Sequence, residues 1–400
     1  MTHPDQRENP RYSLWSGWPL FSQGFRPFFL LGALWAIGAI LIWMHRYAGI
    51  LEMPTVFDAN AWHSHEMIFG YGCAVLCGFL LTAIPNWTGR LPLHGWTLIV
   101  LTALWIAGRA VLALPPSLPA AATAAIDLSF LAALLAVAAR EIISGRNWRN
   151  LPLLLVLAVL LAANAMVHAG QAGWVAGGDA MGIRLALTAF ASVIALVGGR
   201  IVPSFTRNWM VRMKMSRLPA PFARFDKLAL IAMVVAMLSW TASPDHVATG
   251  ALCLAAAAIH LVRLARWRGW ATWHDPLVAV LHLGYVWLPV SLALLGLSAL
   301  GEGLMLPTAG IHALTAGAIG TMTLAVMSRA IPGHTGGALR AGPLSTAVFA
   351  FVTAAAIVRV ATAWFPEAQI TLLMVSASLW ELAFLGFLAV HARALLRARR

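Results

Sequence analysis

The sequence predicts an all-α, polytopic membrane protein of about twelve transmembrane helices. Of its 400 residues, 60% are apolar and only 10% are charged, whereas soluble domains carry roughly 25% charged residues. The mean hydropathy is +0.80, and apolar segments follow one another with short separators. A soluble fold of this composition would lack the polar side chains needed to cover its surface, so the soluble classes are excluded.

Windows of about nineteen residues locate the apolar segments one by one. They lie at residues 27–45, 63–85, 96–114, 119–139, 151–171, 183–203, 226–243, 246–264, 276–298, 307–331, 343–364 and 369–392. Turn-forming pairs such as Pro115-Pro116 and Gly177-Gly178 separate them. No separator is long enough for a soluble domain, so residues 1–400 are predicted to form a single membrane domain in contact with the lipid bilayer.

Lysine and arginine are concentrated in alternate loops and at both termini. These residues are Arg7, Arg11, Arg26, Arg90, Arg140, Arg146, Arg149, Arg207, Arg212, Lys214, Arg217, Arg224, Arg263, Arg266, Arg268, Arg340, Arg393, Arg397, Arg399 and Arg400. The other loops hold little beyond Arg46, so both termini are predicted to be cytoplasmic. The net charge of +13 reflects this pattern and not a nucleic-acid partner, because the charges flank apolar segments. The polar start of the chain is unlike a cleavable signal peptide, so the first helix is expected to remain as an anchor.

An internal repeat relates the second and tenth predicted helices. The second helix begins at His65 and ends on AIPNWTG at residues 83–89, while the tenth begins at His312 and ends on AIPGHTG at residues 330–336. The sixth helix ends on a weaker version, VPSFTR. This similarity predicts a pseudo-threefold bundle of three four-helix units, approximately residues 20–140, 150–265 and 275–395, with helices two, six and ten inside.

Histidine is the main candidate for metal binding, because the three cysteines form no spaced thiol cluster. His63, His65, His168 and His312 all fall near the predicted outer ends of their helices. His65 and His312 occupy equivalent repeat positions, and two facing imidazoles can ligate haem iron. Gly72, near the His65 face, would leave room for a macrocycle. The alternative is that each histidine is an interfacial residue at a helix end.

The segment WHSHEM at residues 62–67 is the densest cluster of candidate ligands. His63 and Met67 are four residues apart and share a helix face, whereas His65 points nearly opposite. A His/Met face suits copper. Glu66 is a candidate catalytic residue that orients an imidazole or carries protons, or else it contributes only helix-end electrostatics.

Two further helices carry polar side chains within their apolar segments. His282 lies inside the ninth helix and is a candidate metal ligand or proton relay. Asn164 and His168 are four residues apart on the fifth helix, where they can bind metal or form hydrogen bonds between helices.

Several arginines are candidates for binding haem propionates. Arg200 lies at a predicted cytoplasmic helix end, and Arg109, Arg184 and Arg359 lie toward the outer side, where positive charge is scarce. The alternatives are a lipid headgroup site or a role only in fixing orientation.

These motifs together resemble the NnrS family over nearly the whole chain. The motifs are GFRPFF at residues 24–29, WHSHEM with GYG at 70–72, the segment 199–208, and the segment 312–336. The resemblance implies a bacterial inner-membrane protein with twelve helices, haem b and copper, linked to nitric oxide metabolism and nitrosative stress. The helix organisation also resembles the catalytic subunit of haem-copper oxidases and nitric oxide reductases, whose second and tenth helices hold a haem. This chain departs from them because its predicted helices six and seven contain no histidine.

The leading hypothesis is a haem- and copper-containing redox protein that binds or converts nitric oxide. In this hypothesis His65 and His312 hold haem, His63, His168 and Met67 hold copper, and His282 is a ligand or relay. An electron donor would be a further partner. Whether the protein is an oxidoreductase is left open by the sequence, and the alternatives are a haem-based nitric oxide sensor or sink without turnover, or a membrane transporter.

Overall fold

The computed structural model describes residues 15–301 and 307–397, and it contains the twelve predicted membrane-spanning helices. They are α1 (Phe25–Tyr47), α2 (Ala59–Thr88), α3 (Trp96–Ala113), α4 (Ala120–Ser144), α5 (Trp148–Gln171), α6 (Gly178–Arg212), α7 (Arg224–Ala242), α8 (Val247–Ala271), α9 (Pro276–Leu300), α10 (Pro307–Thr335), α11 (Pro343–Trp364) and α12 (Pro366–Leu396). The described residues contain no strand. The all-α membrane fold is therefore confirmed. Four of the orientation charges, Arg7, Arg11, Arg399 and Arg400, lie outside the described residues.

Residue chemistry accounts for where several helices begin and end. Proline at the first position starts α9 and α11, where its missing N–H costs nothing. Gly89 and Gly336 end α2 and α10 with positive φ angles of 71° and 82°, a conformation that glycine adopts without a steric penalty. The two repeat motifs therefore end their helices in the same way. Helix α6 extends beyond the predicted residue 203, because the polar residues that follow the apolar segment continue the helix to Arg212.

Helices α2, α6 and α10 contact one another inside the bundle, as the repeat predicts. In their most apolar windows, 78%, 72% and 67% of residues are buried, compared with 33% to 39% for α3, α4, α5, α7, α8, α11 and α12. Helix α9 also reaches 67%, which the repeat did not predict; it is covered by α8 on one side and α10 on the other. The division into three units of the stated lengths stays a prediction.

The outer helices present large apolar side chains to their surroundings. Leu155 on α5, Ile231 on α7 and Ile370 on α12 are each more than 60% exposed. Apolar surface of this kind is stable in a hydrocarbon environment and unstable in water. The fold therefore requires a lipid bilayer around it.

Each of the three inner helices contains a π-helical segment. These segments are Glu66–Gly72 in α2, Ile194–Gly198 in α6 and Ala313–Gly320 in α10. The first and third begin directly after His65 and His312, so the repeat extends to this irregular backbone geometry. Segments of π-helix are rare and often occur at functional sites.

Candidate functional site

A buried group of polar side chains lies near the start of α2 and α4 and near the end of α3 and α5. Because consecutive helices run in opposite directions, these positions meet at one end of the bundle. Every member is at most 5% exposed. This carboxylate–histidine cluster consists of His65, Glu66, Arg109, Asp127, Asn164 and His168.

The His65 ring has acceptors at both of its nitrogens. Nδ1–H donates to Glu66 Oε1 at 3.1 Å, and Nε2 lies 3.0 Å from Asp127 Oδ2 and 2.8 Å from Asn164 Oδ1. An imidazole satisfies acceptors on both sides only if it carries two hydrogens, or if a cation takes the place of one of them. Nε2 is therefore a position where a metal ion can replace a proton.

Asp127 is the centre of this cluster, and it was not predicted from the sequence. Its Oδ2 accepts from Asn164 Nδ2 at 2.7 Å and from His168 Nε2 at 3.1 Å, while its Oδ1 is paired with the Arg109 guanidinium. Gly108 permits this close approach of α3 and α4, since a Cβ there would lie 2.7 Å from Asp127 Oδ1. A single acid in the otherwise uncharged, apolar segment 120–139 was the signal available in the sequence.

Glu66 is held from two other helices. Its Oε2 accepts from Trp35 Nε1 of α1 at 2.7 Å and forms an ion pair with Arg109 Nε of α3 at 2.7 Å. Gly70 leaves the space for this arrangement, because a Cβ at that position would lie 2.7 Å from Trp35 Nε1 and 2.8 Å from Glu66 Oε2. The carboxylate is thus fixed in position to orient the His65 ring.

Three of these residues have the geometry of a metal site. His65, Asp127 and His168 each offer one ligand atom, and the three atoms lie within 4.8 Å of one another. They form the one such group of histidine, cysteine and carboxylate side chains in residues 15–301 and 307–397. Two imidazoles and one carboxylate are a ligand set for iron, copper or zinc. The predicted ligand Met67 packs half-buried against the hydrophobic core next to Glu66.

His312 is grouped with His63 and not with His65. The His63 ring stacks on Trp43 with 4.1 Å between centroids, and its buried Nδ1 has no hydrogen-bond partner. His312 Nδ1–H donates to Thr308 O at 2.7 Å. His63, His312 and Arg359 lie close enough to interact electrostatically. The structure therefore does not bring together the expected haem pair of His65 and His312, because His63 and His65 point to different sides of α2.

The remaining predicted site residues lie apart from the carboxylate–histidine cluster. His282 Nε2–H donates to Thr206 Oγ1 at 2.8 Å near the opposite end of the bundle, and its Nδ1 faces Gly269. Arg184 Nε donates to Thr241 O at 3.0 Å. Arg200 Nη1 donates to Asn150 Oδ1 at 3.3 Å. In this structure the two arginines connect α6 to its neighbours.

A second buried ionic group lies at the opposite end of the bundle, on α7, α8 and α9. Arg263 Nε donates to Asp226 Oδ1 at 3.0 Å, and its Nη1 donates to Tyr285 Oη at 2.9 Å and Ala195 O at 2.8 Å. His260 Nε2–H donates to Ala229 O at 3.0 Å, so its Nδ1 accepts from the Tyr285 hydroxyl at 2.9 Å. We refer to Asp226, His260, Arg263 and Tyr285 as the arginine–tyrosine cluster. This cluster was not predicted from the sequence.

Comparison with protein families places nearly the whole chain in one family. A family model described as NnrS protein matches residues 19–399, which is nearly the whole chain. No curated protein matches the chain.

Proposed function

Since the chain belongs to the NnrS family, which is linked to nitric oxide metabolism, we propose that it is a metal-containing redox protein of the bacterial inner membrane that binds or converts nitric oxide. The proposed metal is copper, held by His65, Asp127 and His168. The observation that carries the proposal is the convergence of these three ligand atoms within 4.8 Å inside apolar helices.

The groups around the three ligands support metal binding. A metal-ligating histidine usually donates its second N–H to a carboxylate, which fixes the ring and increases its basicity. His65 does so toward Glu66, and Trp35 and Arg109 hold Glu66 in turn. Burying two carboxylates and one arginine without further compensation is costly. A bound cation at Nε2 of His65 would offset the charge of Asp127 directly.

Haem b belongs to the proposal as the second cofactor, and its proposed ligands are His63 and His312. His63 Nδ1 is buried without a partner. His312 donates from Nδ1 to Thr308 O, so in a neutral ring Nε2 carries the lone pair. Both of these nitrogens can therefore act as ligands. The nearby Arg359 guanidinium offers a donor for a propionate. His65 fits haem less well, because Glu66, Asp127 and Asn164 occupy both of its nitrogens.

The chain's own residues would bind and orient the reactants. The metal supplies open coordination positions for nitric oxide when it is bound. The apolar spans around the cluster exclude water, and a small apolar gas reaches such a site through the lipid. Glu66 holds the proton on His65 Nδ1, and Arg109 keeps a positive charge next to both carboxylates.

The test is metal, haem and nitric oxide analysis of purified protein expressed in copper- and haem-replete cells. We expect wild type to contain stoichiometric metal and to give a nitric oxide difference spectrum. We expect His65→Ala to lose the copper and His282→Ala, the matched control at the other end of the bundle, to keep it. Wild type without copper or iron, or His65→Ala with full copper, would contradict the proposal. Multi-turnover nitric oxide consumption with a reductant then separates an enzyme from a sensor or sink.

A further inference from the structure

The three inner helices line a partly open apolar cavity of about 70 Å³. Its walls follow the internal repeat. Gly72, Phe190 and Ile319 each lie the same number of residues before the prolines Pro85, Pro203 and Pro332, and so do Val75, Val193 and Met322 at the next level. The cavity therefore lies between equivalent faces of α2, α6 and α10.

We infer that this cavity is a binding site for a small apolar gas molecule, and that α2 connects it to the carboxylate–histidine cluster. The inference rests on the proposed function for the identity of the gas as nitric oxide. The existence of an apolar gas site can be tested without it.

The chemistry of the walls determines the class of ligand. Among the described residues that line the cavity, Thr323 is the only one with a hydroxyl. Its Oγ1 is already hydrogen-bonded to Ile319 O and to the Tyr71 hydroxyl. A ligand with hydrogen-bonding groups, such as a quinone ring, would find no partner there and would lose its bonds to water. The volume is also less than half of the roughly 150 Å³ that accommodates benzene in an apolar cavity. A diatomic or monatomic gas needs no hydrogen-bond partner and is small enough for this volume.

The backbone around the cavity is irregular in all three helices. Gly72 ends one π-helical segment, Ile319 lies within another, and Ile194 begins the third. A Cβ on Gly72 would lie 2.9 Å from the Phe190 ring, so glycine is needed for Phe190 to close this side of the cavity. Each inner helix therefore departs from regular α-helix at the cavity.

The cavity is connected to the proposed metal centre through α2. The π-helical segment that ends at Gly72 in the cavity wall begins six residues earlier at Glu66 in the cluster. Within this segment the Phe69 ring contacts the His65 ring, with 5.0 Å between centroids. A gas molecule in the cavity would thus lie along the same helix as the cluster, separated from it by apolar side chains such as Phe69.

The test is a structure of the full-length protein, determined under xenon pressure, beside rapid-mixing measurements of nitric oxide association. We expect xenon between α2, α6 and α10. Val193→Phe should remove the xenon and slow nitric oxide association severalfold while the copper content is unchanged. Val235→Phe, the same substitution at an exposed position on α7, should change neither.

Val193→Ala keeps the test decisive if the larger side chain prevents folding, because it enlarges the cavity and should increase xenon occupancy. Xenon absent from the cavity of wild type, or an acyl chain occupying it, would overturn the inference even if the protein contains copper. Xenon in the cavity of a protein that holds no metal would leave the apolar gas site in place and refute the proposed function alone.

Discussion

The carboxylate–histidine cluster and the arginine–tyrosine cluster lie at opposite ends of the bundle, and both are buried, yet their charges are arranged differently. Arg109 is shared between two carboxylates, Glu66 and Asp127. Arg263 has Asp226 as its close carboxylate partner, at 3.0 Å, and otherwise donates to neutral oxygens. Asp226 is also paired with Arg266, at 3.7 Å. The first cluster thus has more carboxylates than arginines, whereas in the second one carboxylate is paired with two arginines.

The difference shows how the same residue types serve two purposes. In the arginine–tyrosine cluster, His260 has one donor and one acceptor as neighbours, so a neutral imidazole satisfies both. In the carboxylate–histidine cluster, His65 has acceptors on both sides, which favours a cation between the ring and Asp127. We therefore expect the first cluster to bind metal and the second to stabilise the packing of α7, α8 and α9.

The largest expected effect comes from one substitution made in both clusters. Asp127→Asn removes a proposed ligand without changing the side-chain size, and we expect the copper content of the purified protein to fall to background. Asp226→Asn removes the equivalent partner from the other arginine, and we expect the copper content to stay at the wild-type level. Metal analysis of the two variants beside wild type measures both outcomes.

Asp226→Asn should lose more stability than Asp127→Asn, which reverses the order expected for copper loss. Breaking a buried ion pair by removing one partner costs about 3 to 5 kcal/mol, because the other charge stays buried. Arg263 loses its close carboxylate in Asp226→Asn, whereas Arg109 keeps Glu66 in Asp127→Asn. The temperature midpoint of unfolding in detergent, measured on both variants after metal removal, should therefore fall further for Asp226→Asn. Equal copper loss in both variants would remove the distinction between the clusters.

A smaller effect is expected at Glu66, which contacts the proposed ligand His65 but is not itself a proposed ligand. Glu66→Gln keeps the shape that contacts His65, Trp35 and Arg109 but removes the negative charge that orients and polarises the imidazole. Such substitutions typically weaken metal affinity about 10- to 100-fold. Competition with a copper chelator measures this loss.

Glu381→Gln is the matched control for that substitution, because it removes a carboxylate from α12, away from the cluster. If the copper affinity of Glu66→Gln equals that of wild type, Glu66 does not support a metal ligand. Its role would then be confined to the ion pair with Arg109.

Most of the fold was predictable from the sequence, because a bilayer restricts what a chain can do. Each span must be an apolar helix of about twenty residues, so hydropathy alone located all twelve. The inner position of α2, α6 and α10 followed from the repeated motif that ends at Gly89 and Gly336. The burial of α9 did not follow, because it arises from packing against α8 and α10 and leaves no local pattern in the sequence.

The site was predictable only in part. His65, Glu66 and His168 were candidates because ionisable groups are rare in membrane spans, but their partners depend on which helix faces are adjacent. Periodicity showed that His63 and His65 point apart, and it could not show that His65 faces Asp127 on α4 while His63 is grouped with His312. The π-helical turn that starts at Glu66 also shifts the faces of α2 away from regular helical spacing.

The smallest expected effect tests whether the arginine–tyrosine cluster has only a structural role. Tyr285→Phe removes the hydroxyl that donates to His260 and accepts from Arg263, while Arg263 keeps Asp226 and Ala195 O. A single buried hydrogen bond contributes about 1 kcal/mol, so the unfolding midpoint should fall slightly, with copper content and nitric oxide binding unchanged. If nitric oxide turnover fell in Tyr285→Phe while stability and metal content stayed near wild type, the hydrogen-bonded Tyr285–His260 pair would have to take part in moving protons or electrons. Both ends of the bundle would then be functional, and the assignment of a separate structural role to the second cluster would be wrong.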